Sequence, residues 1–94
     1  MRIVWSVPAQ TDLESIYDFI AQENPHAAAL VIRRIRDRVR QLEAMPRGGR
    51  VGRVENTREL VVGRTPYIVA YRIEESRIAI IRIIHGRREW PLRF

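Results

Sequence analysis

The apolar positions of the chain change their spacing from one segment to the next. In residues 2–7 every second position is apolar, which is the period of a β-strand. From Pro8 onward the apolar residues recur every three or four positions, so an amphipathic helix is predicted over residues 8–23. This helix is expected to end before Pro25, because the residue that precedes a proline avoids the helical conformation.

A second amphipathic segment predicts a helix over residues 25–44. An apolar stripe recurs along it with helical spacing. Its remaining positions are crowded with Arg33, Arg34, Arg36, Arg38 and Arg40. Because the link between the two helices is very short, they are predicted to pack as an antiparallel hairpin.

Three strand-like segments follow a loop at residues 46–53. They are predicted at residues 57–62, 67–73 and 77–85, and the short turns between them imply an antiparallel meander. The last segment is apolar on both faces, which is typical of a central strand. The order β-α-α-β-β-β therefore predicts an α+β fold. In it, a helical hairpin packs on an antiparallel-type four-stranded sheet within a single domain, residues 1–94.

Composition narrows the possible function classes. The chain has 94 residues, no cysteine and two histidines far apart in sequence, so we expect no disulfide, no metal and no cofactor. A domain this small has a thin core and little room for a deep pocket. Neither a membrane-spanning apolar run nor the pattern of a signal peptide is present in the sequence, so the expected location is the cytoplasm.

The charge is strongly positive and is carried by a single residue type. The formal net charge is +6, and all 17 basic residues are arginine. Biased codon usage is one explanation for the absence of lysine. Function is another, because guanidinium groups pair bidentately with carboxylates and phosphates. In either case the positive field favours an acidic partner, which is nucleic acid or an acidic protein segment.

The loop at residues 46–53 reads PRGGRVGR. It is not a phosphate-binding Walker loop, since it follows a helix and lacks the terminal Gly-Lys-Ser/Thr. We interpret it either as a flexible connection between two layers, which is the favoured interpretation, or as an arginine loop that contacts a phosphate backbone.

Two histidines and one strand arginine are candidates for chemistry. His26 begins the second predicted helix, where a solvated side chain is expected. His85 closes the last strand, where it either caps the sheet as a half-buried ring, which we favour, or transfers protons near neutral pH. Strand alternation places Arg82 on the face of Ile80 and opposite His85. Since an unpaired buried charge is costly, Arg82 is expected to pair with Glu59 or to lie on the open face of the sheet.

The C-terminal tail, GRREWPLRF, is basic and aromatic. Arg87 and Arg88 supply its charge. Trp90 is expected either to stack on a base or fill a protein pocket, or to fold back onto the core of its own chain.

The element order and two segments, TRELVVGRTPYIVAYRI and RIAIIRIIHGRREWP, resemble the RelE/ParE superfamily of toxins from bacterial type II toxin–antitoxin modules. The resemblance covers almost the whole chain, and these two segments carry most of its specificity. It implies one of two activities. RelE-like toxins cut messenger RNA on the ribosome without a metal, whereas ParE-like toxins poison DNA gyrase.

One position favours the ParE-like branch. RelE-like nucleases carry an arginine in the strand that here reads YIVAY, and Ile68 stands at that position. The tail also lacks a catalytic tyrosine. If the RelE-like alternative held, His85, Arg64 and Arg82 would be the catalytic candidates. In the ParE-like interpretation, the residues expected to bind the target are Arg82, Arg87, Arg88 and Trp90.

The resemblance also implies a protein partner. A cognate antitoxin with an acidic, disordered C-terminal segment is expected to fold onto the toxin and form a hetero-oligomer. The residues expected to bind it are Arg33, Arg36 and Arg40 on the second helix. A third alternative is an arginine-rich binding module without toxicity, since charge and fold alone are sufficient for that role.

Overall fold

The fold is described by a computed structural model that covers residues 1–94. Its elements, in chain order, are β1 (Arg2–Trp5), α1 (Val7–Ala21), α2 (Pro25–Arg40), a 3₁₀ turn (Gln41–Glu43), β2 (Arg50–Val51), β3 (Arg58–Val61), β4 (Tyr67–Ile73) and β5 (Arg77–His85). The predicted bounds of β4 and β5 are confirmed to the residue.

Two side-chain caps set where the helices begin. The Ser6 hydroxyl accepts a hydrogen bond from the Ala9 amide at 3.1 Å, so the chain turns into α1 directly after Trp5. The predicted extension of the first strand to residue 7 is therefore wrong. Asn24 caps α2 in the same way, through the Ala27 amide at 3.0 Å. Neither helix is long and apolar enough to cross a membrane.

Both helices end earlier than predicted. The first ends at Ala21 rather than at residue 23, and the second ends at Arg40 rather than at residue 44. Beyond Arg40 the chain tightens into the 3₁₀ turn, which buries Leu42 against the core. Such a turn is a common way for an α-helix to end.

The α+β class and the helical hairpin on a sheet are confirmed, but the sheet is larger and mixed. Its strand order is β1-β5-β4-β3-β2. β1 pairs with β5 in parallel, because the two helices carry the chain back between them, and the remaining pairs are antiparallel. The fifth strand, β2, lies within the loop at residues 46–53 and pairs with β3. The middle strand is β4. β5 is an inner strand between β1 and β4, in agreement with its apolar character on both faces.

The core lies between the helical hairpin and one face of the sheet. Its buried side chains include Leu13, Ile16, Ile35, Val39, Leu60, Val69, Tyr71, Ile80 and Ile83. The Tyr71 hydroxyl donates to the Pro46 carbonyl and accepts from the Gly49 amide, both at 2.8 Å. A Cβ at Gly49 would lie 2.7 Å from the Tyr71 ring. Glycine is therefore required there, and the loop at residues 46–53 is anchored rather than free.

A β-bulge in β5 changes the alternation of side chains. Ala70 pairs with Arg82, but Tyr71 pairs with Ile80, so Ile81 is an extra residue in the ladder. Since Ala70 and Tyr71 point to opposite faces, Arg82 and Ile80 do so as well. The expectation that Arg82 shares a face with Ile80 is therefore wrong, and the reason is a bulge that simple alternation does not include.

Candidate functional site

A buried carboxylate organises the face of the sheet that the helices do not cover. Glu59 precedes the core residue Leu60 in β3 and so points to the opposite face. Its side chain is 2% exposed and accepts hydrogen bonds from Arg50 and Arg53, the shortest of them from the Arg53 amide at 2.7 Å. One carboxylate thus holds two arginines of the loop at residues 46–53 against the sheet.

The environment of Glu59 keeps it ionised. Burial by itself would raise its pKa, but the hydrogen bonds and positive charge of Arg53, together with Arg50, outweigh burial and lower the pKa to about 2. The same contact raises the pKa of the Arg53 guanidinium. At neutral pH the cluster therefore carries one negative and two positive charges, and both arginines have their partner.

The predicted pairing of Arg82 with Glu59 is wrong, because Arg82 pairs with Asp12 of α1. Arg82 Nε and Nη2 lie 2.7 and 3.0 Å from the two Asp12 carboxylate oxygens, and the Ile83 amide donates to Asp12 at 2.8 Å. This contact is possible because β1 is short and its pairing with β5 ends at Ile80. Beyond Ile80 the edge of β5 is not paired with β1, and α1 lies beside it. The hydrogen bond to Asp12 raises the pKa of Arg82.

His85 lies at the end of β5, against the edge of the Tyr67 ring. The two ring centroids are 5.7 Å apart and the planes are nearly perpendicular. His85 Nδ1 accepts the Arg87 amide proton at 3.1 Å, so the neutral ring carries its proton on Nε2. Burial raises the pKa of Tyr67. His85 is half-buried and opens onto a hollow of about 450 Å³ that Phe19 and Arg88 also line.

The three residues proposed for a nuclease do not line a common hollow. Arg64 lies in the turn between β3 and β4, beside a depression formed with α2. His85 faces the separate hollow next to α1, and Arg82 is held by Asp12. Three groups that stabilise one pentavalent phosphate need to surround a single point, and none of the four principal hollows brings these three together.

Ile68 occupies a purely apolar position in the middle of the sheet. It is buried and pairs with Val61 of β3 and Ile84 of β5. Its Cδ1 lies 3.3 Å from the place that a Cβ on Gly86 would take. The position at which the resemblance implies an arginine in nucleases is therefore occupied by an apolar side chain with apolar neighbours.

The C-terminal tail folds back along the chain. The Trp90 ring lies under the Arg53 guanidinium, with 3.9 Å between Cζ and the ring centroid, and its edge meets Phe94. The Trp90 indole nitrogen is buried without a hydrogen-bond partner. Arg87 and Arg88 are exposed. Of the predicted target-binding residues, these two arginines present their charge to solvent, whereas Trp90 is half-buried and Arg82 is paired.

A groove of about 770 Å³ runs along the free edge of β1. Its floor is apolar and includes Ile3, Trp5 and Leu13. Its rim has a net positive charge, from three arginines that include Arg36 and Arg40 of α2 and from one acidic residue, Glu43. A second hollow of about 490 Å³, between α1 and α2, shares Leu13 and Arg36 with it. Two of the three arginines predicted to bind an antitoxin therefore line this groove, and the third, Arg33, lies outside it.

Sequence reasoning missed three features of these surfaces. The contacts of Arg50 and Arg53 with Glu59 have only one indication in the sequence, which is a lone acidic residue within an apolar strand. The Asp12 contact joins residues 70 positions apart and leaves no local pattern. The groove depends on β1 being an edge strand, which follows from the parallel pairing with β5 rather than from the spacing of apolar residues.

Comparison with known proteins agrees with the fold. The family model described as "ParE toxin of type II toxin-antitoxin system, parDE" matches residues 3–90. The chain is 40% identical over 90 residues to the putative toxin Y4kP of Sinorhizobium fredii (strain NBRC 101917 / NGR234), an alignment covering 96% of this chain and 93% of that protein. It is 34% identical over 87 residues to toxin RelE2 of Caulobacter vibrioides (strain ATCC 19089 / CIP 103742 / CB 15), covering 93% and 97%.

Solved structures give the same result. The chain superimposes on a chain of the chromosomal ParDE TA system from P. aeruginosa with a TM-score of 0.83 and 28% identity, over 90% of this chain and 95% of that one. The YoeB/ParE toxin from Agrobacterium tumefaciens shares the fold, with a TM-score of 0.64, 19% identity and coverage of 90% and 98%.

Fold and relatives together define a toxin of a bacterial type II toxin–antitoxin module. Within that class, the chain belongs to the ParE toxin family. The resemblance to the RelE/ParE superfamily is thereby confirmed, and a toxin of this kind implies a cognate antitoxin as its partner.

Proposed function

We propose that this toxin arrests growth by inhibiting DNA gyrase and that it is not a ribosome-dependent nuclease. The observation that carries the proposal is the apolar packing of Ile68. A nuclease of this scaffold needs a cation beside the scissile phosphate, and a buried isoleucine between Val61 and Ile84 supplies none. The separation of Arg64, Arg82 and His85 supports the same conclusion, because neither Arg64 nor Arg82 lines the hollow beside His85.

The test is a supercoiling assay with purified gyrase and relaxed plasmid. The wild-type toxin is expected to inhibit supercoiling. A variant with Arg87→Gln and Arg88→Gln should need on the order of tenfold more toxin, since it loses two exposed cations next to the target. Arg77→Gln, at the distant β4–β5 turn, is the matched control and should change little. Unimpaired supercoiling at a large excess of wild-type toxin contradicts the proposal.

A second candidate is the RelE-like messenger RNA nuclease. It is favoured by the 34% identity to a protein named toxin RelE2 and by His85, which matches the histidine of some nuclease relatives. In that case His85 acts as the general base or acid and Arg88, beside it in the same hollow, is the nearest exposed cation. The substitution His85→Ala separates the candidates, because it should abolish a nuclease and leave a gyrase inhibitor active. If the His85→Ala variant folds but is no longer toxic, the nuclease is favoured.

We also propose that the groove along β1 receives the antitoxin. An acidic amphipathic segment matches its positive rim and apolar floor, and β1 offers an unpaired edge for one more strand. Arg36→Glu and Arg40→Glu should each weaken the complex, because they reverse charge at the rim. Arg33→Glu makes the same charge change on the same helix outside the groove and should have a smaller effect. Equal effects of all three, measured by calorimetry, contradict this placement.

A further inference from the structure

A second positive hollow lies at the other side of α2, where the helix meets the turn between β3 and β4. It has a volume of about 250 Å³ and is lined by the guanidinium-bearing residues Arg34, Arg38 and Arg64, with Val62 as its single apolar residue. We call it the turn hollow. It shares no lining residue with the groove along β1 or with the hollow beside His85.

Two of the three arginines are held in place by neutral partners. Arg38 Nε donates to the Val61 carbonyl at 3.0 Å, and its Nη1 donates to Gln41 Oε1 at 2.7 Å. Arg34 Nη1 lies 3.5 Å from the Arg64 carbonyl oxygen. These contacts orient the guanidinium groups without neutralising them, which leaves their charge available to a ligand.

The positive charge of the turn hollow is largely uncompensated. The five ion pairs of the protein are formed by other arginines, and none includes Arg34, Arg38 or Arg64. The one acidic residue on the rim, Asp37, also contacts Arg40 at 3.0 Å, in an exposed pair. The lining of the turn hollow therefore carries three arginines against one carboxylate, and this balance favours a small anion.

Arg64 has an unfavourable backbone conformation, and its side chain does not take part in closing the turn. Its φ is 61°, in the left-handed region that favours glycine, while Gly63 beside it does not have positive φ. The turn itself is closed by other groups, the Val62 amide with the Tyr67 carbonyl and the Thr65 hydroxyl. A glycine at position 64 would relieve the strain. The strained backbone is therefore the cost of having an arginine side chain at this position.

We propose that the turn hollow binds a backbone phosphate of a polynucleotide. Arginine forks match the oxygens of a phosphate, and a shallow, polar hollow suits a point contact with a charged backbone. It suits an amphipathic peptide poorly, because Val62 alone offers no pocket for apolar anchors. That distinguishes it from the groove along β1, half of whose lining is apolar. The proposal is independent of whether gyrase is the target.

Fluorescence anisotropy with a labelled 20-base-pair duplex DNA and a single-stranded RNA of equal length tests the proposal. Arg34→Gln, Arg38→Gln and Arg64→Gln should each weaken polynucleotide binding on the order of fivefold and lower the salt slope by about one. Arg77→Gln, which removes the same charge beyond the other end of β4, is the control and should act far less. A preference for one polymer identifies the source of the phosphate, and weaker binding of both in the hollow variants supports the proposal.

The variant Arg64→Gly adds a readout that a purely structural role does not produce. It should raise the melting temperature by relieving the positive φ and at the same time weaken DNA binding. The proposal is overturned by equal losses for Arg77→Gln and the hollow variants, by full binding by Arg64→Gly, or by competition from a poly-glutamate peptide as effective as that from unlabelled DNA. Binding of inorganic phosphate alone in the hollow, with no effect of the variants on the binding of DNA or RNA, also overturns it.

Discussion

At the scale of single residues, the buried carboxylate of Glu59 carries the clearest energetic signature. Its pKa of about 2 in the folded protein lies below its ordinary value of 4.5, so the ionised form stabilises the native state. This contribution is fully present above the pKa of the unfolded chain. It is lost as pH falls from about 4.5 towards 2, and it amounts to at most about 3 kcal/mol.

Glu59→Gln is therefore expected to lower the free energy of unfolding at pH 7 and to flatten its dependence on pH between about 5 and 2. Urea denaturation across this range measures both effects. Glu74→Gln is the matched control, because Glu74 pairs with Arg77 at the surface and such pairs contribute little. If both substitutions changed the dependence of the unfolding free energy on acidic pH equally, the contacts of Glu59 would not be the source of the effect.

The ion pair between Arg82 and Asp12 is a second residue-level contact with a measurable energetic effect. A double-mutant cycle with Asp12→Asn and Arg82→Gln should give a coupling energy of about 1 to 2 kcal/mol, because the pair is bidentate and partly buried. Thermal denaturation of the four proteins measures it. A coupling energy near zero would mean that Arg82 is free to serve another ligand.

At the scale of elements, the joint between β1 and α1 depends on one hydroxyl. Ser6 caps α1 through the Ala9 amide and also donates to the Ile81 carbonyl at 2.9 Å, at the bulge of β5. Ser6→Ala should lower the free energy of unfolding by about 2 kcal/mol, since it loses a cap and a second hydrogen bond. Asn24→Ala, which loses only a cap, should cost about 1 kcal/mol in the same urea titration. A larger loss for Asn24→Ala contradicts this role of Ser6.

The elements also show how far sequence patterns reach. The strands at residues 67–73 and 77–85 were predicted with their exact bounds, because their apolar runs end at turn residues. The parallel pairing of β1 was not, since it depends on how the helices return the chain. The bulge at Ile81 was not predicted either, because a bulge can be recognised only from the pairing with the neighbouring strand. The partners of Arg82 and Glu59 were not predicted either, since both contacts join residues that are distant in sequence or lie in different elements.

At the scale of the whole molecule, the positive charge is divided among separate surfaces. The groove along β1 lies at one edge of the sheet, and the Glu59 cluster with Trp90 lies near β2 at the other. The net charge of +6 is thus distributed over separate surfaces rather than one broad patch. Antitoxin binding and target inhibition should therefore be separable by mutation.

A toxin with Arg36→Glu and Arg40→Glu is expected to keep its toxicity and to escape its antitoxin, because both changes lie in the groove and neither touches the tail. Growth of cells that co-express the antitoxin measures the escape. Wild-type toxin should be tolerated in that strain, and the double variant should arrest it. A variant that is harmless even without antitoxin, although folded, would show that the groove also serves the target.

The most direct test of the central claim is primer-extension mapping of a messenger RNA translated by purified ribosomes in the presence of this toxin. Ile68 stands where the resemblance to RelE-like nucleases implies an arginine, and Arg64, Arg82 and His85 do not converge on one hollow. The message should therefore remain uncut at toxin concentrations that block supercoiling by gyrase. Cleavage at defined codon positions, abolished by His85→Ala and accompanied by normal supercoiling, would contradict the account.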